Sequence, residues 1–324
     1  MHEEYDSSIS LSSSHPGLPA REETRSSELS HLDQPSLVDD MKRRKDPLEG
    51  GDMMVVASFG RILPPELLNR FAHNRRLNVH PSLLPKLRGA SPIQMAIYEG
   101  HARTGVSIIG VEEKVDAGAI WAQDPIGVYS DDTFLKLRAK LGALGGRLLV
   151  DVLRKMLINQ AVSHPQGSGA TYAPKITDSL SKVNWNTMTA TQVSRIWRAI
   201  GHAHPPKSTF LSKNGQYKTF RMIGVQEVQN PVADLKKPGS ATFVKKTAMY
   251  HVRCAEGTEI GFKIAHTEGA AMAGVKQWRN GLPKAVMRFG KSSPSETDYE
   301  PQEYDIIHPH RAGPSPFYTQ AVPL

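Results

Sequence analysis

Apolar residues fall along this chain in two rhythms, and the change of rhythm divides it. From Met53 to Phe59 they run almost without a break between Gly51 and Gly60, the pattern of a short strand buried on both faces of a parallel sheet. Pro64 and Pro65 then open a predicted helix that reaches Phe71, since proline suits a first helical turn. Leu77 and Val79 next alternate with Asn78 and His80 until Pro81, which cannot donate to a ladder and biases its neighbour toward extended geometry. Residues 77 to 80 therefore read as the next parallel strand, joined to the first by a right-handed crossover. Residues 105 to 111 and 119 to 123 give two more strands. Phe134, Leu137, Leu141, Leu144, Leu148, Val152 and Met156 recur at helical spacing, which predicts a long helix through Gln160 with Asp131 or Asp132 as its cap and a core-facing stripe.

The second rhythm begins after a stretch rich in turn residues. Residues 161 to 189, which include Gln166-Gly167-Ser168-Gly169, read as a linker, and residues 191 to 200 as a short amphipathic helix. Alternating segments at 218 to 225, 240 to 244, 249 to 253 and 259 to 264, with turn residues between them, suggest a small β-barrel. Residues 1 to 50 are acidic and Ser-rich and lack the apolar periodicity that would offset the entropy of ordering, so they read as disordered, as does a tail from 287 to 324. The expected fold class is α/β: a Rossmann-like sheet over 51 to 160, then the linker and a barrel domain over 190 to 286.

Composition sharpens this outline. A chain of 324 residues can bury two ordinary cores, yet it is only 39% hydrophobic and holds 23 prolines and 26 glycines, in keeping with unfolded ends. Its net charge of +8 favours an anionic partner, nucleic acid above membrane. The charge is uneven: residues 1 to 50 carry 6 Lys/Arg against 11 Asp/Glu, a net of −5, and residues 232 to 291 carry 11 against 4, a net of +7. The basic block at Lys42 to Lys45 reads as solvated charge. A lone cysteine, Cys254, cannot form an internal disulfide and points to a reducing compartment. No apolar run approaches the ~18 residues of a membrane helix, so no membrane partner is expected. The first residues show no apolar secretory core, and their acids and the absence of arginine before Arg21 run against a mitochondrial presequence. His202 with His204, and His308 with His310, sit beside prolines without a third ligand at metal spacing, so no metal is expected.

Asn78 and His80 share one face of a strand end, the place where open α/β sheets bind ligands. A stiff loop follows them, with Pro81, Ser82, Leu83, Leu84, Pro85, Lys86, Leu87, Arg88 and Gly89. Val115-Asp116-Ala117-Gly118 comes 38 residues after Asn78, counted to Asp116, between the next two strands. Together these segments resemble the signature of the folate-dependent formyltransferases, and within them the branch that acts on methionyl-tRNA. Thr171 to Ile176, followed by Trp185, is similar to that branch's bridge between its two domains.

The resemblance implies formyl transfer from 10-formyltetrahydrofolate to the amino group of methionyl initiator tRNA, in support of translation initiation. It implies catalytic roles for Asn78, His80 and Asp116, and a folate pocket lined by Ser82, Leu83, Leu84 and Pro85. Asn78 would donate to the developing oxyanion, His80 would donate a second bond or relay protons, and Asp116 would orient His80 and accept the amine's proton. The C-terminal barrel would be OB-like and bind tRNA, and the enzyme would be a monomer in the mitochondrion. The resemblance starts near Gly51 and fades near Pro283, whereas the family has a longer catalytic sheet before this point. An open sheet edge and a missing wall of the pterin pocket are therefore expected, with weak or absent activity. Two rivals remain at this point: a catalytically idle RNA-binding relative, and a formyltransferase or hydrolase acting on another substrate.

Overall fold

The computed structural model describes residues 52–60, 62–231, 235–282 and 287–290. The readings of disorder over residues 1 to 50 and beyond 290, and the pair His308 and His310, lie outside the described residues.

The first half is a mixed sheet with one long helix on it. Strands β1 (Met54–Ala57), β2 (Arg76–His80), β3 (Arg103–Gly110) and β4 (Ile120–Gly127) lie side by side in chain order. The β1–β2 pair is parallel, with Val56 opposite Asn78, and the β2–β3 and β3–β4 pairs are antiparallel. Only Met54 of β1 is buried, and Val55 is 44% exposed. The expectation of a strand buried on both faces fails because β1 is an edge among the described residues, with β2 as its one neighbour.

Helix α1 (Pro65–Leu68) is a single turn, shorter than the proline start suggests. The amides of Arg70 and Phe71 bond back only three residues, to Leu67 and Leu68, and that tighter winding ends the helix. Helix α2 (Pro92–Tyr98) begins on Pro92 and buries Met95, Ala96 and Ile97. Helix α3 (Phe134–Leu157) follows the apolar stripe as predicted, with Leu137, Leu141, Leu144 and Val152 buried. Its cap is Thr133, whose hydroxyl accepts from the Lys136 amide, and not Asp131 or Asp132. Asp132 is instead turned inward, accepting from the Tyr129 amide and from Lys140. The helix stops at Leu157 rather than Gln160 because Asn159 takes a left-handed φ of 55° and the Gln160 amide closes back onto Lys155. Gly145 lets α3 settle on β2, since a Cβ there would lie 2.8 Å from Val79 Cγ1.

The second half is antiparallel. Helix α4 (Ala190–Ile200) opens with a capping box of Thr189 and Gln192 and packs on α2. Strands β5 (Lys207–Leu211), β6 (Tyr217–Ile223) and β7 (Gln226–Glu227) come next, then β8 (Ser240–Val244), β9 (Met249–Arg253), β10 (Glu259–Phe262), β11 (Ile264–Thr267) and β12 (Ala273–Gly274). The one-turn helix α5 (Val275–Trp278) precedes β13 (Met287–Arg288). These strands form two sheets, β13-β8-β9-β10-β7 and β12-β11-β6-β5, whose edges meet at a bridge between Phe210 and Phe289. The pairings do not by themselves establish the OB-like barrel that the alternation suggests. Residues 287 and 288, expected in the tail, instead add a strand beside β8. An aromatic cluster fills the interior, with Phe220 against Trp278 and Phe289 at centroid distances of 5.1 and 4.8 Å. Burial pushes the Tyr250 phenol up to about 12.

The segment from 161 to 189 is bonded along the first half. His164 exchanges two backbone hydrogen bonds with Ile120, and Arg88 donates its amide to the Thr171 carbonyl while its own carbonyl accepts from the Ala173 amide. The core stripe of α3 gives a direct test. Leu141→Ala is expected to lower the unfolding free energy by about 2–5 kcal/mol, whereas Leu135→Ala, on the exposed side of the same helix, should change it by less than about 0.5 kcal/mol. Equal losses in denaturant titrations would refute this placement of the stripe.

Candidate active site

β2 carries Leu77 into the core, fully buried, so its other face presents Asn78 and His80. The loop after Pro81 is fixed from beneath. Ser82 Oγ donates to the Lys86 carbonyl at 2.6 Å, and Ser107 Oγ donates to the Ser82 carbonyl at 2.6 Å while accepting from the Leu84 amide. Gln123 Nε2 bonds both the Leu84 carbonyl and Ser107 Oγ at 2.8 Å. Of the four residues expected to line a pocket, Ser82 is fully buried with its hydroxyl engaged, and Leu84 packs on Ile109 and Ile120. Both hold the loop in place. Leu83 and Pro85 are half-buried and offer surface.

Asp116 arrives from the β3–β4 connection on a left-handed backbone, φ 52°. A non-glycine residue there costs about 1–2 kcal/mol, so its neighbours must hold it. Gly118 makes the bend possible, because a Cβ at that position would come within 1.9 Å of the Gly110 carbonyl oxygen. The Asp116 carboxylate then meets three groups. Gly89 N–H donates to Oδ2 at 2.8 Å, Asn78 Nδ2 donates to Oδ1 at 3.3 Å, and His80 Nδ1 lies 3.5 Å from the same oxygen. The predicted trio is therefore brought together, with the His80 and Asp116 side chains only 4% and 11% exposed.

The imidazole is held at both nitrogens. His80 Nε2 lies 3.0 Å from the Leu87 carbonyl, which can only accept, so Nε2 carries a hydrogen and Nδ1 is the nitrogen that faces Asp116. Burial lowers the His80 pKa below its ordinary value, with the Asp116 charge opposing that shift and Arg88 adding to it. Both ring nitrogens thus face protein groups. Two further residues belong to this cluster. Arg88 is buried, and its Nε and Nη2 donate to Gln166 Oε1 at 3.0 and 2.5 Å. Gln166, read from sequence as part of a linker, donates from Nε2 to the carbonyls of Asp116 and Gly118 at 2.8 and 2.9 Å. No spacing rule marks a glutamine 50 residues downstream of its partner.

His202 and His204 have partners of other kinds: His202 stacks on Phe134, and His204 Nδ1 lies 3.3 Å from Asp178.

An amide donor, a buried imidazole and a carboxylate beyond the end of a strand make a site suited to acyl transfer, in which charge builds on an oxygen while a proton leaves a nucleophile. Residues 22–153 match the formyl transferase family model, a match that begins upstream of Gly51. The methionyl-tRNA formyltransferase of Anaeromyxobacter sp. (strain K) is 33% identical over 240 residues, covering 74% of each chain. The chain belongs to the formyl transferase family. The mitochondrial methionyl-tRNA formyltransferase of Rattus norvegicus is 36% identical over 215 residues, 64% of this chain and 54% of that protein. The chain thus spans about half the length of such curated relatives. HypX from Aquifex aeolicus, solved in complex with tetrahydrofolic acid, shares the fold at a TM-score of 0.57 and 18% identity, over 78% of this chain and 42% of that one.

The lowered His80 pKa makes stability depend on pH. As pH falls, the unfolded chain protonates this imidazole first, so the stability owed to the buried neutral ring is complete above about pH 6.5 and declines from there toward the folded-state value. The loss of unfolding free energy between about pH 7 and about pH 5 should be smaller in His80→Gln than in the unsubstituted chain. Equal losses would contradict the burial argument.

Proposed function

We propose that this chain transfers a formyl group from 10-formyltetrahydrofolate to the α-amino group of methionyl initiator tRNA. The observation that carries the reading is the convergence of Asn78 and His80 on one carboxylate oxygen of Asp116, in a chain whose curated relatives bear the name methionyl-tRNA formyltransferase. In the reaction a nitrogen–carbon bond forms between the amine and the formyl carbon, the bond from that carbon to the folate nitrogen breaks, and the proton lost by the amine ends on that nitrogen.

Each residue has a part in that exchange. Asn78 donates an amide hydrogen to the formyl oxygen as it gains charge, a contribution of about 3 kcal/mol for one such donor. Asp116 takes up the amine's proton, directly or through water, and the neutral Nδ1 of His80 shares it. Asp116 can do this because Gly89 and Asn78 aim its oxygens without using all their lone pairs. Leu83 and Pro85 give the folate ring its apolar contact, while Ser82 and Leu84 keep that loop rigid. The basic excess over residues 232 to 291 suits the phosphates of tRNA, with the two C-terminal sheets read as an OB-like tRNA-binding domain. A monomer working in the mitochondrion is the setting we propose, in keeping with the mitochondrial relatives.

Asn78→Ala and Asp116→Asn should each lower the rate of formylation of methionyl-tRNA by about 10²–10³-fold with the fold intact. Rates for both variants equal to that of the unsubstituted chain would reject the reading.

A further inference from the structure

The side-chain amide of Gln166 is saturated at both ends. Its oxygen accepts two hydrogens from the Arg88 guanidinium, and its nitrogen donates to the backbone oxygens of Asp116 and Gly118. This orientation is forced, because a flipped amide would turn its NH2 against the guanidinium and its oxygen against two carbonyls. The two ends grip unlike things. Arg88 belongs to the loop after β2, where its own backbone is bracketed by Thr171 and Ala173 and where the next residue, Gly89, donates to Asp116 Oδ2. Asp116 and Gly118 belong to the bend between β3 and β4, whose left-handed φ at Asp116 must be held by its surroundings. One side chain from the connecting segment therefore ties together the two loops that form the site.

We propose that Gln166 is a positioning residue: it fixes the Asp116 backbone, and through it the carboxylate, relative to Asn78 and His80. Its effect on rate rests on the formyl-transfer reading, but its effect on the Asp116 bend does not. An ordinary tether for the connecting segment would need only the Arg88 contact. A positioning role needs the two bonds donated by Nε2.

Gln166→Glu separates these roles, because it keeps an oxygen for Arg88 and removes the donor. Gln166→Met, of similar size, removes both. The probes are formylation kinetics and hydrogen exchange of the Gly89 amide, which is bonded to the Asp116 carboxylate. Both variants should speed Gly89 exchange about tenfold or more while the circular dichroism spectrum is unchanged. Both should also slow formylation about 10–100-fold, with KM for the formyl donor within about threefold. In an Asp116→Asn background, Gln166→Met should add less than about twofold, because it acts through the same carboxylate. Should Gln166→Met fail to fold, the Glu variant carries the same readouts. Unchanged Gly89 exchange in the folded variants overturns the proposal, whether or not the chain transfers formyl groups. A full formylation rate in Gln166→Glu, or effects that multiply in the Asp116→Asn background, overturns it too. If Asp116→Asn alone leaves transfer intact, the formyl-transfer reading falls and Gly89 exchange by itself decides the positioning claim.

Discussion

A carboxylate held on a left-handed stretch of backbone is the constraint on which this site depends. Asp116 could relax to a commoner conformation and swing its side chain into solvent, at a gain of about 1–2 kcal/mol in backbone energy. What opposes that gain is a set of directed bonds: the Gly89 amide on one carboxylate oxygen, Asn78 on the other, and the Gln166 amide on the main chain. Hydrogen bonds to a charged acceptor are worth about 1.5–3 kcal/mol each, so the bend is over-determined and the carboxylate stays beside the imidazole. Burial of His80 follows from the same closure, and it lowers the pKa of the ring against the opposing charge of its neighbour.

The sheet and its long helix make that closure possible. Leu77 and Val79 anchor β2 on α3, and the bare Cα of Gly145 allows close packing at Val79, so the opposite face of β2 is free for chemistry. Ser107 and Gln123, from two neighbouring strands, hold the loop beyond Pro81 by its backbone. The connecting segment then seals the arrangement with main-chain pairs to β4 and to Arg88. The stretch that runs on to the C-terminal half is also a wall of the N-terminal half.

Much of this was legible in the residues and some of it was not, for physical reasons. The period of two through Leu77, Asn78, Val79 and His80, stopped by Pro81, placed the amide and the imidazole correctly, because a strand end has few ways to dispose its side chains. The stripe of α3 was equally clear, but its cap was misread: Asp132 suits a cap as well as Thr133 does, and only tertiary partners such as Lys140 decide between them. β1 looked buried because its residues are apolar, whereas its exposure depends on which neighbours it has. Gln166 was invisible, since a glutamine among glycines and a serine has the composition of a linker whatever its side chain touches. Of the C-terminal strands, β6, β8, β9 and β10 were foreseen as segments and β5 and β11 were not, while the sheet pairing depends on long-range register that alternation does not contain.

The account stands on the Asp116 carboxylate facing the buried imidazole of His80. That contact is read most directly by the imidazole's own titration, followed by nitrogen-15 NMR in the unsubstituted chain and in Asp116→Asn. The unsubstituted ring should titrate below its ordinary value of about 6.5, and the variant lower still, because the negative charge that opposes desolvation has gone. A His80 pKa that is unchanged or higher in Asp116→Asn would contradict the contact.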